Sequence, residues 1–131
     1  MATPAASRVV CAAAAILLVA AASVAPRLAS SNAEPVRDIY LVARDMAYYA
    51  DGRPEPNPTL HLSRRERVRV HLLNRDPGIT HNFTVGAWHA ATPLISEGEA
   101  TVEFTAPADA GDTAYACTPH GEMMRGTIRV E

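Results

Sequence analysis

Three side chains suited to soft metals lie close together near the end of the chain. Cys117, His120 and a methionine, Met123 or Met124, offer a thiolate, an imidazole and a thioether within eight residues. Sulfur ligands combined with imidazole are suited to copper. The segment from Cys117 to Met124 is therefore predicted to be a metal-binding loop.

A trigonal copper site of this kind needs a second imidazole, which the loop does not contain. His81 is the candidate, because it follows the turn residues Pro77 and Gly78 and precedes a β-prone run over 82–85. We expect it at the start of a strand, on the side that faces the protein interior. Two histidines, one cysteine and a weak axial methionine would form the ligand set of a blue, or type 1, copper site.

Cysteine usage supports a role for Cys117. The chain has two cysteines, and the other one, Cys11, lies in an apolar N-terminal segment. The predicted mature part therefore has no internal disulfide, which is unusual for a small exported domain. A buried core thiol is the alternative, but the adjacent histidine and methionine favour a metal ligand.

The rest of the chain reads as short strands separated by turn residues. From Arg67 to Leu72 the pattern alternates, which is typical of a sheet with one face exposed to water. The proline-rich stretch 49–59 is predicted to be a loop. About seven strands with turn signals between them predict an all-β protein, a single β-sandwich.

These features resemble the cupredoxins, and within them the amicyanin and plastocyanin branch. The resemblance rests on the pair His81-Asn82, on the run Cys117-Thr118-Pro119-His120, and on Met-Arg-Gly before a final strand. It extends over the whole of 34–131 and implies a Greek-key β-sandwich. It also implies copper ligation by His81, Cys117, His120 and a methionine.

The same resemblance implies roles around the site. Asn82 is expected to tie the two ligand-bearing loops together, and His120 is expected near the surface. An apolar rim around His120 would be the docking patch and the exit for electrons. Its candidate members are Pro119, Met123 and Pro77.

The axial methionine has two candidates. In the amicyanin pattern two residues separate the histidine from the methionine, which leads to Met123. Counting back from the last strand at Arg125 leads to Met124 instead. We favour Met124, because the strand determines which residue faces inward. Met123 stays the alternative.

The first 33 residues are predicted to be an export signal. Arg8 precedes an uncharged apolar stretch, 9–25, the pattern of a secretory signal peptide. An uncleaved N-terminal anchor is the alternative, and only then would the protein be bound to a membrane. Both interpretations predict one domain over 34–131 in the periplasm or elsewhere outside the cytoplasm.

Charge and size exclude some functions. Residues 34–131 carry ten arginines, no lysine and fourteen acidic residues, a formal net charge of −4. Nucleic-acid binding, which needs a basic surface, is not expected. Copper enzymes need several domains or a further copper site, and 98 residues with one donor set offer neither. The protein is therefore expected not to be an enzyme.

The ligand set and the resemblance predict an exported mononuclear blue copper protein. It would carry single electrons between a redox protein donor and a redox protein acceptor, with copper cycling between Cu(II) and Cu(I), and it is expected to be a monomer. The alternative is a non-catalytic copper-binding protein for storage, delivery or resistance. A cysteine-centred set favours electron transfer.

Overall fold

The computed structural model describes residues 34–131, so the predicted signal peptide or anchor at 1–33 lies outside the described residues. Two sheets make up this part of the chain. The first has the order β2-β1-β4-β7, with β1 at Arg37–Arg44, β2 at Ala47–Ala50, β4 at Arg67–Asn74 and β7 at Gly98–Thr105. The second has the order β3-β9-β8-β5-β6, with β3 at Leu60–Leu62, β5 at Thr84–Val85, β6 at Ala90–Ala91, β8 at Gly111–Ala116 and β9 at Arg125–Val130.

The predicted all-β sandwich is confirmed, with nine strands where the sequence indicated about seven. A single turn of 3₁₀-helix, Gly86–Trp88, joins β5 to β6. In 34–131 no helix combines the length and the apolar character that crossing a membrane requires.

The core lies between the two sheets. Side chains alternate along β4, so that Val68, Val70 and Leu72 are fully buried while their neighbours reach the outer face. The second sheet contributes Tyr115 and Ile128 to the same cluster. Burial of aliphatic and aromatic side chains from both sheets is the main source of stability.

The hairpin between β1 and β2 was not expected from the sequence. Asp45 and Met46, at φ 51° and 58°, form a two-residue turn in the left-handed region. Such a turn matches the twist of the strands but usually contains asparagine or glycine. Because that signal is absent, the predicted loop at 49–59 began too early, and β2 continues through Ala50.

Strand pairing brings the two candidate ligand segments together. Thr84 of β5 pairs with Ala116 of β8, the residue immediately before Cys117. His81 precedes β5 and forms its own antiparallel bridge with Ile95. The residues predicted to bind copper are therefore placed at one end of the second sheet.

The outer face of β4 carries a histidine held between two carboxylates. Nε2 of His71 lies 2.8 Å from Asp38 on β1, and Nδ1 lies 2.7 Å from Glu99 on β7. The hydrogen bond to Asp38, followed by the hydrogen bond to Glu99, raises the pKa of His71 above its ordinary value. The same bond between His71 and Asp38 lowers the pKa of Asp38.

We predict that His71→Gln changes how stability depends on pH. A raised pKa in the folded state stabilises the fold fully below the unfolded pKa of about 6.5, and this contribution disappears as pH rises through the folded pKa. The free energy of unfolding lost in the variant should thus be larger at about pH 6 than at about pH 9. Both conditions lie above the range in which Asp38 titrates.

Urea unfolding of both proteins at the two pH values measures this difference. His61→Gln is the matched control, because the His61–Glu131 pair is more than half exposed on both sides and such pairs contribute little. A loss in His71→Gln that is equal at both pH values would contradict the prediction.

Candidate metal centre

One cluster of potential metal-binding side chains is present in the part of the chain that the structure describes. It consists of His81, Cys117 and His120, whose ligand atoms all lie within 4.8 Å of one another. Sγ of Cys117 is 3.7 Å from Nδ1 of His81 and 3.5 Å from Nδ1 of His120. The sequence thus identified the three side chains that the fold brings together.

The separations between these donor atoms fit a metal ion at their centre. Protein sites bind a comparable divalent ion at about 2.0 Å from imidazole nitrogen and about 2.3 Å from thiolate sulfur. In a trigonal arrangement such bonds place nitrogen and sulfur about 3.7 Å apart, which is close to the observed distances. The chemistry of the donors, two imidazoles and one thiolate, is that of a type 1 copper site.

Main-chain hydrogen bonds close the loop that carries Cys117 and His120. The amide of Cys117 donates to the carbonyl of Met124 at 3.0 Å, so the two ends of the loop meet. Within the loop the amide of His120 donates to the carbonyl of Cys117, and that of Met124 to the carbonyl of His120. These bonds restrain the main chain of the loop and thereby fix the positions from which the side chains of Cys117 and His120 extend.

Asn82 connects the two ligand-bearing segments. Its Oδ1 accepts the amide of Thr118 at 2.8 Å, and its Nδ2 donates to the hydroxyl of Thr118 at 3.0 Å. Asn82 follows His81, and Thr118 follows Cys117. These two bonds therefore hold the neighbours of two donors together, as the resemblance implied for Asn82.

Burial differs across the cluster. His81 and Cys117 are fully buried, whereas His120 is partly exposed. His120 lines a surface depression together with Pro119 and Met123. The expectation that His120 lies near the surface is thus met, and two of the three candidate rim residues lie beside it. Pro77 is exposed in the turn that follows β4.

The two candidate axial methionines lie in opposite environments. Met124 is 0% exposed and belongs to the same buried cluster as Cys117, whereas Met123 is 56% exposed. A weak thioether ligand must face the interior of the site. Burial favours Met124, and its role as a ligand stays a prediction.

Sequence reasoning missed two residues beside the cluster. Asp76 lies 2.8 Å from Nε2 of His81, and the buried hydroxyl of Tyr48 donates to the carbonyl of Asn82. Burial raises the pKa of Tyr48, and so does the nearby Cys117. An aspartate in a turn and a tyrosine in a hairpin are common surface patterns, so nothing in the sequence singled them out.

Burial pushes the pKa of Asp76 upward, but hydrogen bonds outweigh it. The amides of Asp45 and Met46 and the ring of His81 all point at the carboxylate, and together they leave its pKa below the ordinary value. Asp76 is therefore an ionised group at neutral pH, in contact with a candidate ligand.

Comparison with known proteins agrees with this geometry. A family model described as copper binding proteins of the plastocyanin/azurin family matches residues 73–131, a range that contains every candidate ligand. Auracyanin A, a blue copper protein from the green thermophilic photosynthetic bacterium Chloroflexus aurantiacus, is 21% identical and aligns over 74% of this chain and 100% of its own, with a TM-score of 0.58. The chain resembles the cupredoxins in its fold and in its donor set.

Two further solved structures are similar to this chain. A reduced Cu(I) form of an amicyanin mutant is 28% identical over 72% of this chain and 82% of its own, with a TM-score of 0.50. Rusticyanin is 21% identical over 73% of this chain and 78% of its own, with a TM-score of 0.57. No curated protein sequence matches significantly. The matching family model and the donor cluster together indicate one copper ion at a single type 1 site in this protein.

We predict that replacing Met124 changes the reduction potential of the copper site, whereas replacing Met123 does not. Met124→Leu should raise the potential by about 59 mV or more, a tenfold change in the Cu(II)/Cu(I) affinity ratio, because loss of a donor disfavours the more highly charged ion. Met123→Leu should leave the potential nearly unchanged. Both exchanges nearly conserve volume and are tolerated by the fold.

Potentiometric titration of the two variants beside the wild type measures the shifts. The two variants are matched controls for each other, since they make the same chemical change at adjacent positions. A larger shift in Met123→Leu would instead assign the axial position to Met123.

Proposed function

We propose that this cupredoxin-like protein is an exported electron carrier that exchanges single electrons with a redox protein donor and a redox protein acceptor. The observation that carries the proposal is the donor cluster itself. Two imidazoles and one thiolate converge in the interior, and one of them, His120, reaches the surface. Such a cluster suits a metal that changes charge by one without leaving the protein.

The ligand set of the proposal is His81, Cys117 and His120, with Met124 as the axial ligand and Met123 as its alternative. When bound, copper supplies a Cu(II)/Cu(I) couple that accepts and releases one electron. The protein supplies a fixed set of donors. Bonds between Asn82 and Thr118 restrain the ligand segments, and such restraint would keep rearrangement small during electron transfer.

Water is excluded from most of the site. His81, Cys117 and Met124 are completely buried, so that no solvent molecule reaches their donor atoms from outside. His120 is the partly exposed member of the cluster, and it lines a surface depression with Pro119 and Met123. We assign this depression as the surface for electron entry and exit.

The proposal places the protein outside the cytoplasm and gives it no catalytic activity. The apolar segment preceding residue 34 supports export. Residues 34–131 contain one cluster of potential metal ligands, His81, Cys117 and His120. A mononuclear carrier is therefore the simplest use of the site.

Stopped-flow electron exchange tests the proposal. The copper-loaded protein should be reduced and reoxidised reversibly by substitution-inert metal complexes, and it should retain its copper when a chelator is present. A protein for copper storage or delivery would instead lose its metal to the chelator. Slow or irreversible redox exchange together with rapid metal loss would move the function to that alternative.

A further inference from the structure

Asp76 lies between the candidate ligand His81 and the turn that joins β1 to β2. One carboxylate oxygen, Oδ2, is 2.8 Å from Nε2 of His81 and also accepts the amide of Met46 at 3.3 Å. The other, Oδ1, accepts the amide of Asp45 at 2.8 Å. Both oxygens are thus engaged inside the protein, and only 12% of the side chain is exposed.

The carboxylate determines which nitrogen of His81 carries hydrogen. An ionised carboxylate accepts hydrogen bonds and donates none, so Nε2 of His81 must be the donor. In a neutral imidazole the lone pair then resides on Nδ1. This is the nitrogen that faces Sγ of Cys117 at 3.7 Å. Asp76 therefore holds His81 in the tautomer that binds a metal inside the cluster.

A rigid turn holds Asp76 in position. The amide of Ile79 donates to the carbonyl of Asp76 at 3.1 Å, and Pro77 and Gly78 occupy the two central positions, with Gly78 at φ 79°. This is a type II turn, which favours proline and glycine at those positions. The amide of Asp76 also donates to Oδ1 of Asn74 at 2.9 Å. The turn and the bond to Asn74 thereby hold the main chain of Asp76, and with it the carboxylate, in place.

The negative charge of Asp76 has no cationic partner of its own. Within 34–131 its ion-pair contact is His81 alone, and the nearby Arg44 pairs with Asp45 instead. Neutral amides stabilise the carboxylate without cancelling its charge. In a poorly solvated site the field of such a group extends to the neighbouring ring and to the metal behind it.

We propose that Asp76 is a positioning residue that stabilises the oxidised over the reduced state of the copper site. It orients His81, makes its ring a better donor, and places a negative charge behind it. A hydrogen-bonded carboxylate raises the basicity of a ligating histidine, and a negative charge favours the more highly charged ion. The inference rests on the proposed function, since it concerns the redox balance of the same site.

The test compares Asp76→Asn with Asp45→Asn. Both variants remove one negative charge from the same region, but the side chain of Asp45 is 75% exposed and does not reach the cluster. We expect Asp76→Asn to lower the Cu(II)/Cu(I) affinity ratio by about tenfold, a rise of 59 mV in the reduction potential. Asp45→Asn should change the ratio by less than about threefold. Potentiometry and chelator competition for each oxidation state provide the two readouts.

A second measurement needs no metal. Nitrogen NMR of the copper-free wild type should show hydrogen on Nε2 of His81. In a separate experiment on the copper-loaded proteins, Asp76→Glu, which keeps the charge, should retain a reduction potential close to that of the wild type. These two results keep the proposal testable if Asp76→Asn fails to fold. Hydrogen on Nδ1 of His81 in the wild type would overturn it.

The outcomes distinguish this inference from the proposed function. A wild-type protein without a reversible one-electron couple would overturn both. A reversible wild type in which Asp76→Asn and Asp45→Asn shift the potential equally would overturn the role of Asp76 alone. A shift confined to Asp76→Asn, with Nε2 protonated, supports the inference.

Discussion

Replacing Cys117 by serine is expected to remove the blue absorption and the narrow copper hyperfine splitting completely. The intense visible band of a type 1 site depends on the bond between the thiolate and copper, and a hydroxyl does not replace that bond. Cys117 is fully buried and forms no disulfide within residues 34–131. The exchange of sulfur for oxygen therefore changes the donor atom and alters the side-chain volume little. Visible and EPR spectra of the copper-loaded variant measure the loss.

His89→Asn is the matched control for this experiment. His89 is exposed, has a φ of 51°, and lies outside the donor cluster. Asparagine tolerates that backbone conformation, so the control removes a possible ligand without straining the chain. It should stay blue. A Cys117→Ser variant that retains the blue band would show that the thiolate is not a ligand.

Replacing Gly126 by alanine is expected to be among the most destabilising single changes in the domain. Gly126 of β9 pairs with Tyr115 of β8, and a methyl group at this position would overlap the Tyr115 ring. Overpacking of a well-packed core costs about 1–3 kcal/mol, and occasionally more. Because domains of this size are stable by about 5–15 kcal/mol, such a loss is readily measured by urea unfolding.

The Tyr115 ring has no room to move away. Its hydroxyl donates to the carbonyl of Pro58 at 2.6 Å. The centroid of its ring lies 5.2 Å from that of Phe83 and 5.3 Å from that of Tyr48. Tyr115 also lies two residues before Cys117, so displacing it would disturb the approach to the donor cluster. We therefore expect Gly126→Ala to weaken copper binding as well as the fold.

Gly86→Ala provides the matched control. No atom lies within 4 Å of the position that a Cβ would occupy at Gly86, so the same substitution there meets open space. Its effect on the free energy of unfolding should be small. If both variants unfold at the same urea concentration, the close approach of Gly126 to Tyr115 is not a source of stability.

The order and type of the donors in the ligand loop were readable because they are local. Cys117, His120 and the methionine pair lie in one short segment, and soft sulfur beside imidazole indicates copper without reference to the rest of the chain. The alternation along β4 was equally local, since side chains of a strand point to opposite faces in turn. The buried position of Met124 follows from the same rule, applied backward from β9 at Arg125.

Other parts of the site depend on residues far apart in sequence. Asp76 reaches the amide of Asp45 across 31 positions, and Cys117 meets His81 across 36. His81 was identified through family resemblance as well as through its place before a strand, whereas no pattern pointed to Asp76 or Tyr48. Their roles come from hydrogen bonds and packing that exist only once the two sheets have paired.

The residue pattern thus predicted the fold class and the metal, and it named the candidate ligands of the loop. Short-range periodicity and donor chemistry are sufficient for those conclusions. The orientation of the His81 ring, its contact with the Asp76 carboxylate and the packing of Tyr48 beside the cluster became visible only in the tertiary structure. These features depend on which strands become neighbours, and strand pairing joins distant segments through backbone bonds that are nearly independent of side-chain identity.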